Sequence, residues 1–351
     1  KIFDLFKSKQ IQPELIMNMR VLSKADIDRS IHASDAMEAM RIAFSELSDG
    51  RAIVPIRGSV ASACGVTLLM PGFLSGMNAL GAKIVSVFPE NSMKGRPPIQ
   101  GAVLLLDADT GTPKALLDGT RLTEIRTPAG SGLATELLAD DSADILTVFG
   151  AGAQGRAHIE ILMATRRLSE VRILSKSTET AEALVTELRN RGDLMPNKNL
   201  AELPRIMAMC DPREALDGAG LVVTATTSTT PVFDSRDLEL GAHVNAVGSY
   251  RPDMQEIDAD LVKNARVVVD QREAVWEEAG DLIIPHEAGF IDEKVVDAEL
   301  GEIVNGDASP GRGEFTFTLF KSVGNAAQDV AIAEMVLSFA EEMGLGSMTP
   351  F

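Results

Sequence analysis

The chain has 351 residues, 45% of them hydrophobic and only 4% aromatic, with a formal net charge of −18. That length suits about two domains with aliphatic α/β layers, and so acidic a balance excludes nucleic acid, whose phosphates call for a basic footprint. The two cysteines, Cys64 and Cys210, lie in unrelated segments and form neither a zinc pattern nor a disulfide framework, which points to a reducing, cytoplasmic setting. No apolar run reaches the roughly 18 residues of a membrane span, and KIFDLFKSKQ lacks the apolar stretch of a signal peptide.

Residues 25–50 predict a helix, because Ala36, Met37, Met40, Ile42, Ala43 and Leu47 recur at helical spacing and Gly50 follows as a stop. From 51 to 117, short apolar runs alternate with Gly, Pro and Asp, and DADTG reads as a hairpin turn. An antiparallel sheet or open barrel is expected there. From about 119 the rhythm becomes strand–helix–strand. Six apolar runs stand out: DILTVFG, VRILSK, RIMAMC, LVVTATT, HVNAVG and ARVVVD. Helical segments join the first four, which predicts a parallel sheet covered by helices. Residues 190–202 read as a surface loop. The tail, 314–345, contains an Ala-, Val- and Met-rich helix pattern that is expected to return to the first domain.

Residues 145–158, ILTVFGAGAQGRAH, place Gly150, Gly152 and Gly155 between a strand and a helix. The first glycine permits the tight turn, the second lets backbone approach a pyrophosphate, and the third lets helix and strand pack closely. Phosphates then meet the free N–H groups and positive end of the helix. A glycine-rich turn with no ligand is the plainer alternative, but the flanking strand and helix favour dinucleotide binding. The second strand ends in Ser175-Lys176-Ser177-Thr178, with no acid before Glu179. An acid there would bind the ribose 2′-OH of NAD. A lysine among hydroxyls suits a 2′-phosphate, so NADP is preferred and NAD remains possible; alternatively Lys176 is a solvated surface residue.

Three cations stand in apolar surroundings: Arg57 in IVPIRGSV, Lys83 in ALGAKIVSVFPE and Arg126 in LLDGTRLTEIRTPAGSGLA. Burying them is costly unless they are paired. A small carboxylate substrate would pair them, arginine offering it a two-pronged fit. Internal salt bridges to Glu or Asp, such as Glu124 or Glu90, are the competing reading. The four histidines, His32, His158, His243 and His286, show no metal-ligand spacing, and no nucleophile elbow is present.

The set VPIR, GAK, LLDGTRLTEIRTPAGSGLA, VFGAGAQGRAH, VVTATTS, GAHVNAVGSYRPDMQEID and TLFKSVGNAAQD resembles the ornithine cyclodeaminase/mu-crystallin family, in family order from about residue 20 to 340. The resemblance is closest in pattern to its ketimine reductase and Δ1-pyrroline-2-carboxylate reductase members. It implies a homodimer with a Rossmann-type doubly wound domain, 126–313, and a discontinuous α+β substrate-binding and dimerisation domain, 1–125 with 314–351. It implies that Arg57, Lys83 and Arg126 hold the substrate carboxylate and that Ala153 and Gln154 form the pyrophosphate turn. Ser175 would sit at the ribose end of the second strand, and Thr226 and Thr227 would line the cofactor cleft. Val247, Gly248 and Ser249 would approach the nicotinamide, as would Ser322 and Val323, Val323 from the substrate side.

One departure is informative. Cyclodeaminases and the family's alanine dehydrogenases carry a proton-handling Asp in VGxD, and here Tyr250 occupies that position in Val247-Gly248-Ser249-Tyr250. Ketimine reductases of the mu-crystallin type also lack the Asp and read SRPD nearby; here Arg251-Pro252-Asp253 follows. Oxidising an amino acid requires a base near neutral pH. Reducing an already protonated cyclic imine mainly requires positioning, and a phenol, ordinarily titrating near about 10, can donate a hydrogen bond without acting as base. The expectation is therefore NAD(P)H-dependent reduction of Δ1-pyrroline-2-carboxylate and Δ1-piperideine-2-carboxylate to L-proline and L-pipecolate. Lys83 would help to protonate the ring nitrogen, and Tyr250 or Ser249 would shape the pocket, with Asp253 close in sequence as another proton handler. The rivals are an NAD-recycling ornithine cyclodeaminase, an alanine-type amino-acid dehydrogenase and a non-catalytic NADPH-binding protein.

Overall fold

The computed structural model describes residues 18–191 and 203–350, so most of the loop expected at 190–202 lies outside the described residues. The first elements are β1 (Asn18–Leu22), α1 (Lys24–Ser30) and α2 (Ala33–Ser48). The helix expected over 25–50 is thus two. Ile31 is extended at φ −136°, and the Asp35 carboxylate accepts from the His32 N–H at 3.0 Å to start the second helix. Gly50 follows α2 in the left-handed region, at φ +69°.

Next come β2 (Ala52–Ile53), β3 (Gly58–Ala61), β4 (Val66–Leu74), β5 (Ala79–Val87), β6 (Ile99–Asp107) and β7 (Pro113–Asp118). Asp107 Oδ1 accepts from the Thr110 N–H at 2.8 Å and closes the expected DADTG hairpin between β6 and β7. These strands pair antiparallel, β1 joins β7 in parallel, and the final strand, β16 (Ser347–Pro350), caps the edge, giving an open sheet in the order β16-β1-β7-β6-β5-β4-β2 with β3 on β4. Helix α3 (Gly119–Leu138) follows, unbroken across the domain boundary expected at 125/126.

The second sheet begins with β8 (Ile145–Phe149), α4 (Ala153–Thr165), β9 (Glu170–Leu174), α5 (Thr178–Asn190), β10 (Arg205–Ala208), α6 (Pro212–Leu216), β11 (Leu221–Thr224) and β12 (His243–Ala246). It continues through α7 (Ala259–Asn264), β13 (Ala265–Val269), α8 (Arg272–Glu278), α9 (Gly280–Glu287), β14 (Val296–Glu299), α10 (Leu300–Asn305) and β15 (Phe317–Lys321). All its ladders are parallel, in the order β10-β9-β8-β11-β12-β15-β13-β14. The six strands expected from sequence are present, and β14 and β15 are additional. β15 lies beyond the expected 313/314 boundary, yet it pairs between β12 and β13. It returns the chain to the first layer through α11 (Ala326–Glu342), and β16 (Ser347–Pro350) ends the described chain. Helix α11 is apolar nearly all round, with Ala327, Val330, Ala331, Ile332, Ala333 and Val336 all at 0% exposure. It therefore packs between the inner face of β4–β6 and helices α2 and α3.

Candidate active site

The strand order reverses between β8 and β11, and ligands bind open α/β sheets at the carboxyl ends of strands beside such a point. The glycine turn sits there. Gly150 has φ +114°, and a side chain on it would run into the Ala225 carbonyl. A Cβ on Gly155 would collide with the Gly150 carbonyl, so α4 starts hard against the turn. Gly152, the N-cap of α4, meets nothing within 4 Å and leaves the helix N-terminus open to a ligand. These residues fit a dinucleotide pyrophosphate, with Ala153 and Gln154 as the first helical positions. The side chain of Gln154 turns back toward α3, to the Thr123 carbonyl at 3.4 Å.

The three cations found by sequence converge where the two sheets meet. Lys83 on β5 and Arg126 on α3 are 2% and 6% exposed. Both reach the fully buried Asp329 on α11, Lys83 Nζ at 2.6 Å and Arg126 Nε at 3.2 Å. Arg126 also donates to Gln328 Oε1 at 2.8 Å. Arg57 pairs with Glu278 at the end of α8 and donates to the carbonyls of Val323 and Gly324 at 3.3 and 2.9 Å. The Gly324 Cα lies against the Arg126 guanidinium, where any side chain would clash. The cations are thus paired internally with acids, as the competing reading held, but with Asp329 and Glu278. Glu124 pairs instead with Arg121 and Lys24, at 3.0 and 3.9 Å. Burial pushes the Lys83 ammonium down to about 8, Asp329 opposing that and Arg126 and Arg57 adding to it. Burial likewise raises the Glu278 carboxyl to about 7, against the pull of Arg57.

The ornithine cyclodeaminase/mu-crystallin family model matches residues 17–343. The chain belongs to that family. It is 37% identical over 336 residues to a Bacillus cereus Δ1-pyrroline-2-carboxylate reductase, covering 95% of this chain and all of that one. It is 34% identical to the Mus musculus ketimine reductase mu-crystallin, over 86% of this chain and 89% of the relative. Among solved structures, Thermococcus litoralis Δ1-pyrroline-2-carboxylate reductase in complex with NADH and L-proline superposes with a TM-score of 0.87 at 35% identity, covering 94% and 99% of the two chains. An archaeal alanine dehydrogenase dimer with bound NAD superposes equally well, at 0.87, with 28% identity over 95% and 100%.

Tyr250, expected from the resemblance at the family's Asp position, lies just beyond β12. It is half-buried, and its hydroxyl has no hydrogen-bond partner among the described residues. Asp253 is on the surface, held by Arg251 through two contacts of 3.0 Å. Ser249 turns inward: its hydroxyl donates to the Met254 carbonyl at 2.8 Å and accepts from the Asp281 N–H at 3.3 Å. Ser322 likewise donates to Asp270, at 2.7 Å. At the far end of the cleft, Ser175 and the exposed Lys176 follow β9, while Ser177 caps α5 by accepting from the Thr180 N–H at 3.3 Å. Thr227 is exposed in the loop after β11, and the Val247 N–H is tied to the Thr224 carbonyl at 3.0 Å. His158 is internal, bonded to the Gln154 carbonyl and Ser131, and burial lowers it to about 4.

Sequence reasoning missed the acids. Asp270 after β13 accepts from the N–H groups of Val323 and Gly324 at 3.0 and 2.7 Å and so sets the loop that carries Arg57's carbonyl acceptors. Glu256, Asp281 and Lys321 are fully buried together beneath the loops that follow β11, β12 and β15. Burial raises the Glu256 carboxyl, and Asp281 adds to it. The rule that singled out Lys83, a charge inside an apolar run, would have found Asp270 in ARVVVD, Lys321 in TLFK and Asp329 in NAAQDVAIA.

Proposed function

We propose that this family member is an NAD(P)H-dependent oxidoreductase acting on C=N, reducing cyclic ketimine carboxylates such as Δ1-pyrroline-2-carboxylate and Δ1-piperideine-2-carboxylate to L-proline and L-pipecolate. The observation that carries this reading is the cluster of buried Lys83 and Arg126 with half-buried Arg57 beside the carboxyl end of β15. In its ion pairs three cations meet two carboxylates, Asp329 and Glu278. The third acid nearby, Asp270, is taken up by the donors of residues 322–324. Lys83 and Arg126 therefore share one carboxylate, and that of a small imino acid would give the cluster a further acceptor.

A bound reduced nicotinamide supplies the hydride. The chain's own residues do the rest. Arg57 and Arg126 grip the substrate carboxylate. Lys83, an ammonium near neutral pH yet close to releasing its proton, holds a proton toward the ring nitrogen. Tyr250 offers a free hydroxyl at the rim and no carboxylate base, which favours reductase over cyclodeaminase or dehydrogenase. Oxidation of NADPH or NADH by the two imines, with no ammonia from ornithine plus NAD, is the expected assay result. Ammonia release from ornithine would overturn the reading.

NADP preference is part of this proposal, supported by Lys176 and by the absence of an acid at the end of β9 before Glu179. The relatives solved with cofactor hold NADH or NAD. Lys176→Glu is expected to lower the NADPH:NADH ratio of kcat/KM by about tenfold to a hundredfold, since hydrogen bonds to charged groups contribute about 1.5–3 kcal/mol. An unchanged ratio would place Lys176 away from the 2′-phosphate.

The outer face of the first sheet supports a homodimer. Leu69 and Ile84, paired across β4 and β5, are 43% and 47% exposed, and Phe73 and Leu104 continue the same face. A contiguous apolar face of this kind marks an interface. Leu69→Glu is expected to give monomers by sedimentation, whereas a dimer that persists would move the interface elsewhere. Cytoplasmic location is proposed from the two free, exposed cysteines. Among the described residues no helix is long and apolar enough to cross a membrane.

A further inference from the structure

The Glu256 carboxylate lies at 0% exposure under the cofactor cleft, and both of its oxygens are fully used. Oε2 accepts from Thr224 Oγ1 at 2.9 Å and the Gly248 N–H at 2.7 Å. Oε1 accepts from the Thr226 N–H at 2.5 Å and Thr226 Oγ1 at 2.7 Å. One side chain therefore ties the loop after β11 to the loop after β12. Its own backbone is braced in turn: the Glu256 N–H donates to Asp281 Oδ1 at 2.6 Å, and Lys321, the last residue of β15, holds Asp281 Oδ2 at 2.9 Å. Gly248 passes so close to Thr226 and Glu256 that any side chain there would clash. Three neighbouring strand ends are thus locked in one register by a buried acidic pair and a lysine.

We propose that Glu256 is a positioning residue for the dinucleotide, setting the spacing between the Thr226 and Gly248 loops that form the floor of the nicotinamide end of the cleft. This rests on the reading of the protein as a nicotinamide-dependent reductase. Only an acceptor-only group can serve two backbone N–H donors that cannot turn away, together with two hydroxyls. A glutamine amide would face one of those donors with its own N–H, and the loops would part. The clamp around Asp329 shares none of these contacts, so the effect should fall on cofactor binding and spare the substrate.

The test measures NADPH and NADH dissociation constants by fluorescence for the full chain carrying Glu256→Gln, alongside thermal unfolding and the KM for Δ1-pyrroline-2-carboxylate at saturating cofactor. A tenfold or greater weakening of cofactor binding, with the imine KM within about twofold of wild type, is expected. Thr226→Val removes one hydroxyl donor to Glu256, together with the acceptor of the Ser228 N–H at 3.1 Å. It should weaken cofactor binding about threefold in a chain that folds normally, and should add nothing to Glu256→Gln in the double variant. Cofactor binding equal to wild type in Thr226→Val, or in a folded Glu256→Gln with a lowered Tm, would reduce Glu256 to a core residue and overturn the proposal. If wild type binds cofactor but reduces no imine, the functional reading fails while the binding comparison still decides the role of Glu256.

Discussion

Replacing Arg126 with alanine is expected to lower kcat/KM for Δ1-pyrroline-2-carboxylate by about thirtyfold to several thousandfold. Arg126 is 6% exposed and shares Asp329 with Lys83, while its guanidinium also touches Gln328 and abuts Gly324. Without it, Asp329 and Lys83 neutralise one another and the arriving carboxylate loses its two-pronged partner. Truncating one member of a buried, hydrogen-bonded charge set costs about 2–5 kcal/mol, much of it from the charge left unpaired. The loss should appear mainly in KM if Arg126 acts on the carboxylate in ground and transition state alike. Steady-state kinetics together with thermal unfolding check this. Near-normal kcat/KM in a folded variant would remove Arg126 from the clamp.

Imine reduction is also expected to fall as pH rises through about 8. Below that pH Lys83 is an ammonium able to hold a proton toward the ring nitrogen; above it the buried amine is neutral. Lys83→Met should abolish this limb and lower kcat by about 10²–10⁴, the usual contribution of a positioned acid or base. A limb that survives unchanged in Lys83→Met would belong to the imine or to another group. The same depression has a consequence for stability. Between about 8 and 10.5, the unfolded lysine keeps a proton that the folded one has released, so unfolding takes up a proton and this group's contribution favours folding more as pH rises through that window.

Much of this was legible in the sequence because it is local. The run ILTVFGAGAQGRAH contains strand, turn and helix start within one short stretch, and the reasons for Gly150 and Gly155 are contacts with residues close by or on the adjoining strand end. Arg57, Lys83 and Arg126 declared themselves because a charge in an apolar run has to find a partner. Their partners did not. Asp329 and Glu278 come from distant helices, and a salt bridge leaves no periodicity in the sequence. The search for embedded charges stopped short of Asp270 in ARVVVD, Lys321 in TLFK and Asp329 in NAAQDVAIA, although each obeys the same rule; Glu256, in DMQEIDAD, sits in no apolar run and gave no such signal.

The sequence by itself determined the glycine turn between β8 and α4, the strand–helix alternation, the family and the three embedded cations proposed as a clamp. These follow from residue type and short-range spacing, which the backbone reads directly. Only the tertiary structure decided that β15 inserts between β12 and β13, that the helix expected over 25–50 breaks at Ile31, and that Asp329 is shared by Lys83 and Arg126. Strand insertion is set by which apolar edge is open when the chain returns. Charge pairing is set by which buried groups meet once two sheets close on each other. Both are long-range outcomes of packing, and neither is encoded in any single segment.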